Sequence, residues 1–273
     1  MYKKLIPLFM ILLILVMALP AMAITFGEPD GDAHPFVGSI VLQFPDGGFF
    51  QACSGTLIAE GVFLTAAHCK LGVMTDPNFV GDSKIWITFD PTIDLENGAN
   101  YEITFDDWET HPDFPWKFAM YDLADVAVIL SDEFPTDVGY GQLPTAGLLD
   151  ELNSQGILRN TRFTAVGYGT VRDSLKKAFE NIYGNLDRNR AEQSFLSLTK
   201  PWLTLSMNPK TGSGGTCYGD SGGPHFIHLD GQETKIVASI TVSGDTPCKA
   251  TDKTYRMDTE TARSFLGQYV DLP

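Results

Sequence analysis

Apolar residues along this chain fall in short runs separated by Gly, Pro, Asn and Asp. Phe36 to Phe44 is one such run and ends at the turn Pro45-Asp46-Gly47-Gly48. Ser54 to Ile58 and Val62 to Ala66 flank a second turn at Glu60-Gly61. Ile85 to Phe89, Tyr101 to Phe105, Val126 to Leu130, Arg162 to Val166, Leu203 to Met207, Pro224 to Leu229 and Ile236 to Val242 continue the series. Regular short strands with turn residues between them predict a β-sandwich or β-barrel. Two segments carry a helical pattern, Ala146 to Gln155 and Thr259 to Tyr269. Strands and helices do not alternate, which disfavours a doubly wound sheet. The Pro/Thr/Gly-rich stretch from Pro135 to Thr145 divides the chain into halves of about six strands each, the number a small closed barrel needs.

The first apolar run is of another kind. Lys3 and Lys4 precede an apolar segment from Leu5 to Leu19, Pro20 breaks it, and Ala21-Met22-Ala23 places small residues two apart. This is the three-part pattern of a secretory signal peptide, and it predicts removal of residues 1–23. An apolar run this short falls below the ~20 residues of a membrane span. The expected product is secreted and extracellular, with no stable membrane association once the leader is gone.

Charge narrows the function classes. The 273 residues carry a formal net charge of -15, spread along the chain, and two lysines leave with the leader. So acidic a surface argues against nucleic acid and anionic membranes as partners. The four cysteines, Cys53, Cys69, Cys217 and Cys248, form an even set behind an export signal, which predicts two disulfides. Four cysteines allow three pairings, and the sequence alone does not choose. No close Cys-x-x-Cys pair suggests zinc, and no metal or cofactor is expected.

Two segments carry chemistry. Gly214-Gly215-Thr216-Cys217-Tyr218-Gly219-Asp220-Ser221-Gly222-Gly223-Pro224 surrounds one serine with glycine. A nucleophilic serine needs open backbone, so that a carbonyl can approach and main-chain N–H groups can face its oxygen. Leu64-Thr65-Ala66-Ala67-His68-Cys69 runs an apolar strand into a histidine beside a cysteine.

Cys53-Ser54-Gly55-Thr56-Leu57-Ile58 followed by Thr65-Ala66-Ala67-His68-Cys69 resembles the histidine motif of chymotrypsin/trypsin-like serine peptidases. Gly219-Asp220-Ser221-Gly222-Gly223-Pro224 resembles their serine motif. Shorter matches join them in the family's order: His111-Pro112-x-Phe114, Asp125-Val126-Ala127-Val128 and Val166-Gly167-Tyr168-Gly169. The likeness covers about residues 24–273 and is similar in style to bacterial members. It implies an all-β fold of two six-stranded antiparallel barrels, about 24–135 and 145–273, with a C-terminal helix. It implies a monomeric serine endopeptidase acting on protein or peptide substrates through an acyl-enzyme. His68, Asp125 and Ser221 take the triad roles, and the backbone N–H groups of Gly219 and Ser221 form the oxyanion hole. Asp122 is the competing aspartate. Asp125 is preferred because an unbroken apolar strand follows it, and choosing Asp122 would bury a second carboxylate without a partner. The pairings implied are Cys53–Cys69 and Cys217–Cys248.

The resemblance also gives Ile24 a role. It follows the leader cleavage site, and its freed ammonium would pair with Asp220. Gly215, Thr216, Ser243 and Gly244 fall at the specificity pocket. Members that select Lys or Arg carry an aspartate where this chain has Gly215, so an apolar side chain is expected before the scissile bond. Asp245 is the alternative acid for the pocket, and Lys253 falls either near the pocket or in a loop. Two rival functions remain, a catalytically silent binding protein on the same scaffold and a serine esterase. An α/β-hydrolase reading of Gly219-x-Ser221-x-Gly223 fails because no histidine follows at a suitable distance.

Overall fold

A computed structural model describes residues 24–114, 124–172 and 182–273. The leader at 1–23 and the alternative aspartate Asp122 lie outside the described residues. In chain order the first half forms β1 (Glu28–Pro29), β2 (Val37–Gln43), β3 (Phe49–Ala59) and β4 (Val62–Thr65). It continues with β5 (Lys84–Thr88), β6 (Asn100–Ile103), β7 (Trp108–Thr110) and β8 (Ala127–Leu130). The second half forms β9 (Arg162–Gly167), β10 (Val171–Arg172), β11 (Ile182–Tyr183) and β12 (Asn189–Leu198). It ends with β13 (Trp202–Ser206), β14 (Pro224–Leu229), β15 (Gln232–Gly244) and β16 (Thr251–Arg256). The helices are α1 (Ala67–Thr75), α2 (Leu148–Ser154) and α3 (Glu260–Leu266).

Two antiparallel sheets carry the structure. The first runs β6-β5-β2-β3-β4-β8-β7. Its central strand β2 is buried at six of seven positions, because both faces are covered. Rings pack edge to face inside it, with Phe63 and Phe134 each meeting Phe89, an arrangement that suits the aromatic quadrupole. The second sheet runs β12-β13-β16-β15-β14-β9, and β9 pairs back onto β12 to close a six-stranded barrel. Leu149, Leu158, Phe163, Leu203, Leu205 and Ile227 fill part of its interior. The fold is thus the expected all-β, chymotrypsin-like one with its C-terminal helix. One detail differs: no strand pairing closes the first sheet among the described residues. Its edge strands β6 and β7 are only four and three residues long, too short to complete a ladder.

Three features position the site. First, β1 pairs with β12 of the barrel, so the start of the described chain crosses to the second half. Second, Thr259 caps α3 by accepting from the Ala262 N–H. The helix then returns to the first half, where Phe265 packs against His111 at 5.4 Å. Third, α1, β12 and β16 are elements that the apolar pattern did not mark.

Candidate active site

The histidine and its aspartate come from neighbouring strand ends. β4 and β8 pair with Thr65 opposite Ala127. His68 follows Thr65 by three residues, in the first turn of α1, and Asp125 precedes Ala127 by two. The two side chains therefore meet at one end of the sheet. Asp125 is buried and grips His68 twice. Its Oδ1 accepts the His68 backbone N–H at 2.9 Å, and its Oδ2 lies 2.8 Å from Nδ1. With both carboxylate oxygens so engaged, the proton is assigned to Nδ1, and Nε2 keeps its lone pair. The His68 side chain is 26% exposed while that of Asp125 is 3% exposed, so the pair opens toward solvent only at the imidazole.

The serine loop is fastened to the first sheet. The Ser221 carbonyl accepts the Ser54 N–H at 2.8 Å. The Gly219 carbonyl accepts from Gln51 Nε2 at 2.9 Å and Ser54 Oγ at 3.0 Å. Gln51 is a contributor that no motif marked. Gly219 and Gly222 hold φ of 95° and 80°, a region open to glycine. At Gly222 a Cβ would also strike Thr65 Oγ1 and approach the Ala66 N to 2.7 Å. That close approach presses the serine loop onto the strand leading to His68. Cys69 Sγ lies 3.7 Å from the Ser221 carbonyl. Among the described residues, no hydrogen bond joins Ser221 Oγ to His68, which is common where no substrate draws the two together. The N–H groups of Gly219 and Ser221 also donate to no acceptor among the described residues, whereas the Asp220 N–H between them donates to the Cys217 carbonyl. The loop therefore presents two donors beside one hydroxyl.

The disulfides brace these pieces. Cys53 is bonded to Cys69, tying β3 to α1, and Cys217 to Cys248, tying the serine loop to the segment before β16. Cys53, His68 and Cys69 lie close enough to suggest a metal site. Both sulfurs are spent in the disulfide, which removes the thiolates such a site requires.

Ile24 and Asp220 are both fully buried. The segment beginning at Ile24 is docked by Gly215 N–H donating to the Thr25 carbonyl and Phe26 N–H donating to the Arg172 carbonyl. Asp220 accepts from the Gly169 and Cys217 N–H groups, each at 2.8 Å. Gly169 leaves room for that carboxylate, since a Cβ there would sit 2.5 Å from it. Burial pushes the Asp220 carboxyl up to about 7, against the pull of those two N–H groups, and nearby Asp252 adds to the rise. In the uncleaved chain the Ile24 nitrogen is an amide and supplies no charge.

A pocket of about 330 Å³ opens beside Ser221. Thr216, Ser243 and Gly244 line it, together with Tyr218, Thr241 and Asp245. Gly215 does not. A Cβ at Gly215 would collide with Met207 and come within 2.5 Å of Gln193 Nε2, so that position is packed shut. Lys253 is also outside the pocket; it is exposed and sets its ammonium 4.2 Å from the Trp202 ring centroid.

A family model described as Trypsin matches residues 27–264. Chymotrypsin-like elastase family member 1 of Rattus norvegicus is 25% identical over 218 residues, covering 76% of this chain and 74% of that protein. The trypsin of Saccharopolyspora erythraea is 28% identical over 202 residues, covering 71% of this chain and 77% of that protein. Among solved structures, HL collagenase superposes with a TM-score of 0.58 at 18% identity, covering 92% of this chain and 97% of that one. At that identity the likeness is one of fold.

Proposed function

The chain belongs to the trypsin family, and on that premise we propose that it is a secreted serine endopeptidase. The observation that carries this reading is the double grip of Asp125 on His68 beside a serine loop with two unengaged N–H groups. Ser221 Oγ attacks the carbonyl carbon of the scissile bond while His68 Nε2 takes its proton. The carbonyl oxygen becomes an oxyanion facing the N–H groups of Gly219 and Ser221. The C–N bond breaks as His68 returns the proton to the leaving amine, giving an acyl-enzyme. Water repeats the sequence to release the acid. Asp125 holds the tautomer and stabilises the imidazolium without taking the proton.

Removal of residues 1–23 is part of the same reading. It frees the Ile24 amine, whose ammonium pairs with Asp220 and holds the oxyanion loop in place. Two disulfides suit the oxidising compartment that export implies.

The test is labelling of the mature protein by a fluorophosphonate, with peptide hydrolysis measured in parallel. Both are expected, and both vanish in Ser221→Ala. Asp125→Asn is expected to lower kcat by about four orders of magnitude through the wrong tautomer. Absence of labelling by folded protein points to a binding protein on this scaffold. Labelling with ester but no peptide turnover points to an esterase.

A further inference from the structure

In the reading above Gly219 supplies one oxyanion donor, and glycine is the residue whose backbone turns most freely. Its N–H donates to no acceptor among the described residues. The direction of that N–H therefore depends on what grips the peptide groups on either side. The Tyr218 carbonyl, in the same peptide group as the N–H, accepts the Thr170 N–H at 2.7 Å. The next peptide group is gripped at the Gly219 carbonyl. Both donors there are side chains of β3, Gln51 Nε2 at 2.9 Å and Ser54 Oγ at 3.0 Å.

Gln51 reaches the loop from an irregular stretch of β3. Cys53 stands opposite Ile40 and Gln51 opposite Val41, so Ala52 is an extra residue set against two consecutive positions of β2. Such a bulge bends its strand and re-aims the side chains beside it. The Gln51 amide then has both hydrogens engaged, one by the Gly219 carbonyl and one by the Cys53 carbonyl, each at 2.9 Å. Two carbonyls facing one atom require a donor, which decides which end of the amide is nitrogen. The amide oxygen lies against Gly219 itself. A Cβ at that position would collide with Gln51 Oε1 and come within 3.1 Å of the Gly169 Cα. Gly219 is thus confined by Gln51 and Gly169 and gripped at the carbonyls before and after its Cα.

We propose that Gln51 is a positioning residue of the oxyanion hole. Its amide, with Ser54 Oγ, holds the Gly219 carbonyl so that the Gly219 N–H stays aimed at the developing oxyanion. This rests on the peptidase reading above, and Gln51 acts through Gly219. A carbonyl oxygen gains its full charge only in the transition state, so a misaimed donor costs turnover and spares substrate binding.

The test separates those two quantities. Gln51→Met keeps the length of the side chain and removes its donors, and Gln51→Glu keeps the shape but turns a carboxylate oxygen toward two carbonyls. Each mature variant is assayed on a peptide substrate. Each is also titrated with a peptide boronic acid, whose tetrahedral adduct on Ser221 places an oxygen where the oxyanion forms. In Gln51→Met kcat should fall about 10- to 100-fold, short of the 100- to 1,000-fold loss of a whole donor. Gln51→Glu should fall further. KM should stay within about twofold, and boronate affinity should drop by the same factor as kcat/KM. An unchanged kcat, a loss carried by KM, or boronate affinity that holds while kcat falls overturns the proposal. A parent protein that neither cleaves peptides nor takes the fluorophosphonate sinks the peptidase reading. The brace is then judged by the backbone amide resonances of 15N-labelled protein. Gln51→Met should move the Gly219 resonance and spare that of Ser221, whose peptide carbonyl is held by the Gly223 N–H at 2.8 Å. An unmoved Gly219 resonance would overturn the brace as well.

Discussion

Two regions bury carboxylates and treat them in opposite ways. At the clasp between the N-terminal segment and the barrel, Asp30 meets Arg188 Nε at 2.9 Å and His34 Nδ1 at 2.6 Å. Arg188 spends its other donors on the carbonyls of Gly31, Val37 and Phe89 and on the Tyr168 hydroxyl. Burial works to raise the Asp30 pKa, but His34 and Arg188 outweigh it and leave it lowered. Beneath the serine loop, Asp220 and Asp252 meet uncharged donors and are raised. The clasp carries its own counter-charges and is finished by folding. The floor of the site does not, and in the proposed reading Asp220 gains its counter-charge from Ile24 only after cleavage. The charge beside it thus separates a structural carboxylate from one that awaits a partner.

The largest effect expected from breaking this contrast lies at the clasp. Arg188→Met leaves Asp30 buried with half its partners, and should cost about 3–5 kcal/mol of unfolding free energy. Activity per folded molecule should be unchanged. Denaturant unfolding and titration of active sites measure the two separately. A variant with normal stability and impaired turnover would mean that the clasp belongs to the catalytic machinery.

Asp220→Asn should act mainly on turnover. The amide demands no counter-charge, but its single oxygen can accept only one of the two N–H groups, which bind separate carboxylate oxygens. Stability should therefore fall by about 1–3 kcal/mol, less than at the clasp. The oxyanion loop loses its tether to the Ile24 ammonium, and turnover should fall about 100- to 1,000-fold, the usual loss when one oxyanion donor is misplaced. Steady-state kinetics alongside thermal unfolding decide it. Full turnover in Asp220→Asn would remove the reason for leaving that carboxylate unpaired.

A smaller effect separates the chain before and after cleavage. In a form extended before Ile24, the folded Asp220 pKa near 7 exceeds its ordinary 3.8. Between those values the native state holds a proton that the unfolded state has released, so stability falls as pH rises through that window. An ammonium at Ile24 would favour the charged carboxylate and cancel the trend. Thermal midpoints of extended and mature forms should therefore diverge by a few degrees from pH 4 to 7. Parallel curves would exclude the ion pair.

The same contrast explains what the apolar pattern could and could not reveal. Six of the seven strands of the first sheet are marked by their apolar runs, β7 is not, and the glycine-rich serine loop is marked by its composition. β12 and β16 are not marked, because their inward positions are polar except for Ala191. Asn189, Ala191 and Gln193 face in from one, and Asp252, Thr254 and Arg256 from the other. Alternation is present in both, but carried by residues that a hydrophobic pattern reads as surface. Gln193 and Asp252 stand behind Thr216 of the pocket wall, so the strands hardest to see are those that back the pocket. α1 escaped for a different reason. Ala66 stands at its N-cap without a side-chain hydrogen bond, leaving no start signal.

The smallest expected effect tests the outer edge of the clasp. Glu233 is half-exposed and reaches His34 Nε2 at 2.9 Å, while His34 Nδ1 stays on Asp30. Burial opposes the charged forms of both groups, but their hydrogen bonds win. The His34 pKa is raised, through Asp30 and Glu233, and that of Glu233 is lowered, through His34 and Thr164. The imidazolium contribution is complete below the ordinary histidine value of 6.5 and is lost as pH climbs through the raised folded value. The carboxylate contribution is complete above the ordinary 4.5 and is lost as pH drops through the lowered one. The pair is therefore strongest from about pH 4.5 to 6.5. Glu233→Gln should cost about 0.2–1 kcal/mol there, as for other half-exposed pairs, and less at alkaline pH once His34 is neutral. Thermal midpoints of the variant and the parent across this range measure it. A larger loss, constant with pH, would show that Glu233 acts by packing and that the charge of the clasp is complete with Asp30, His34 and Arg188.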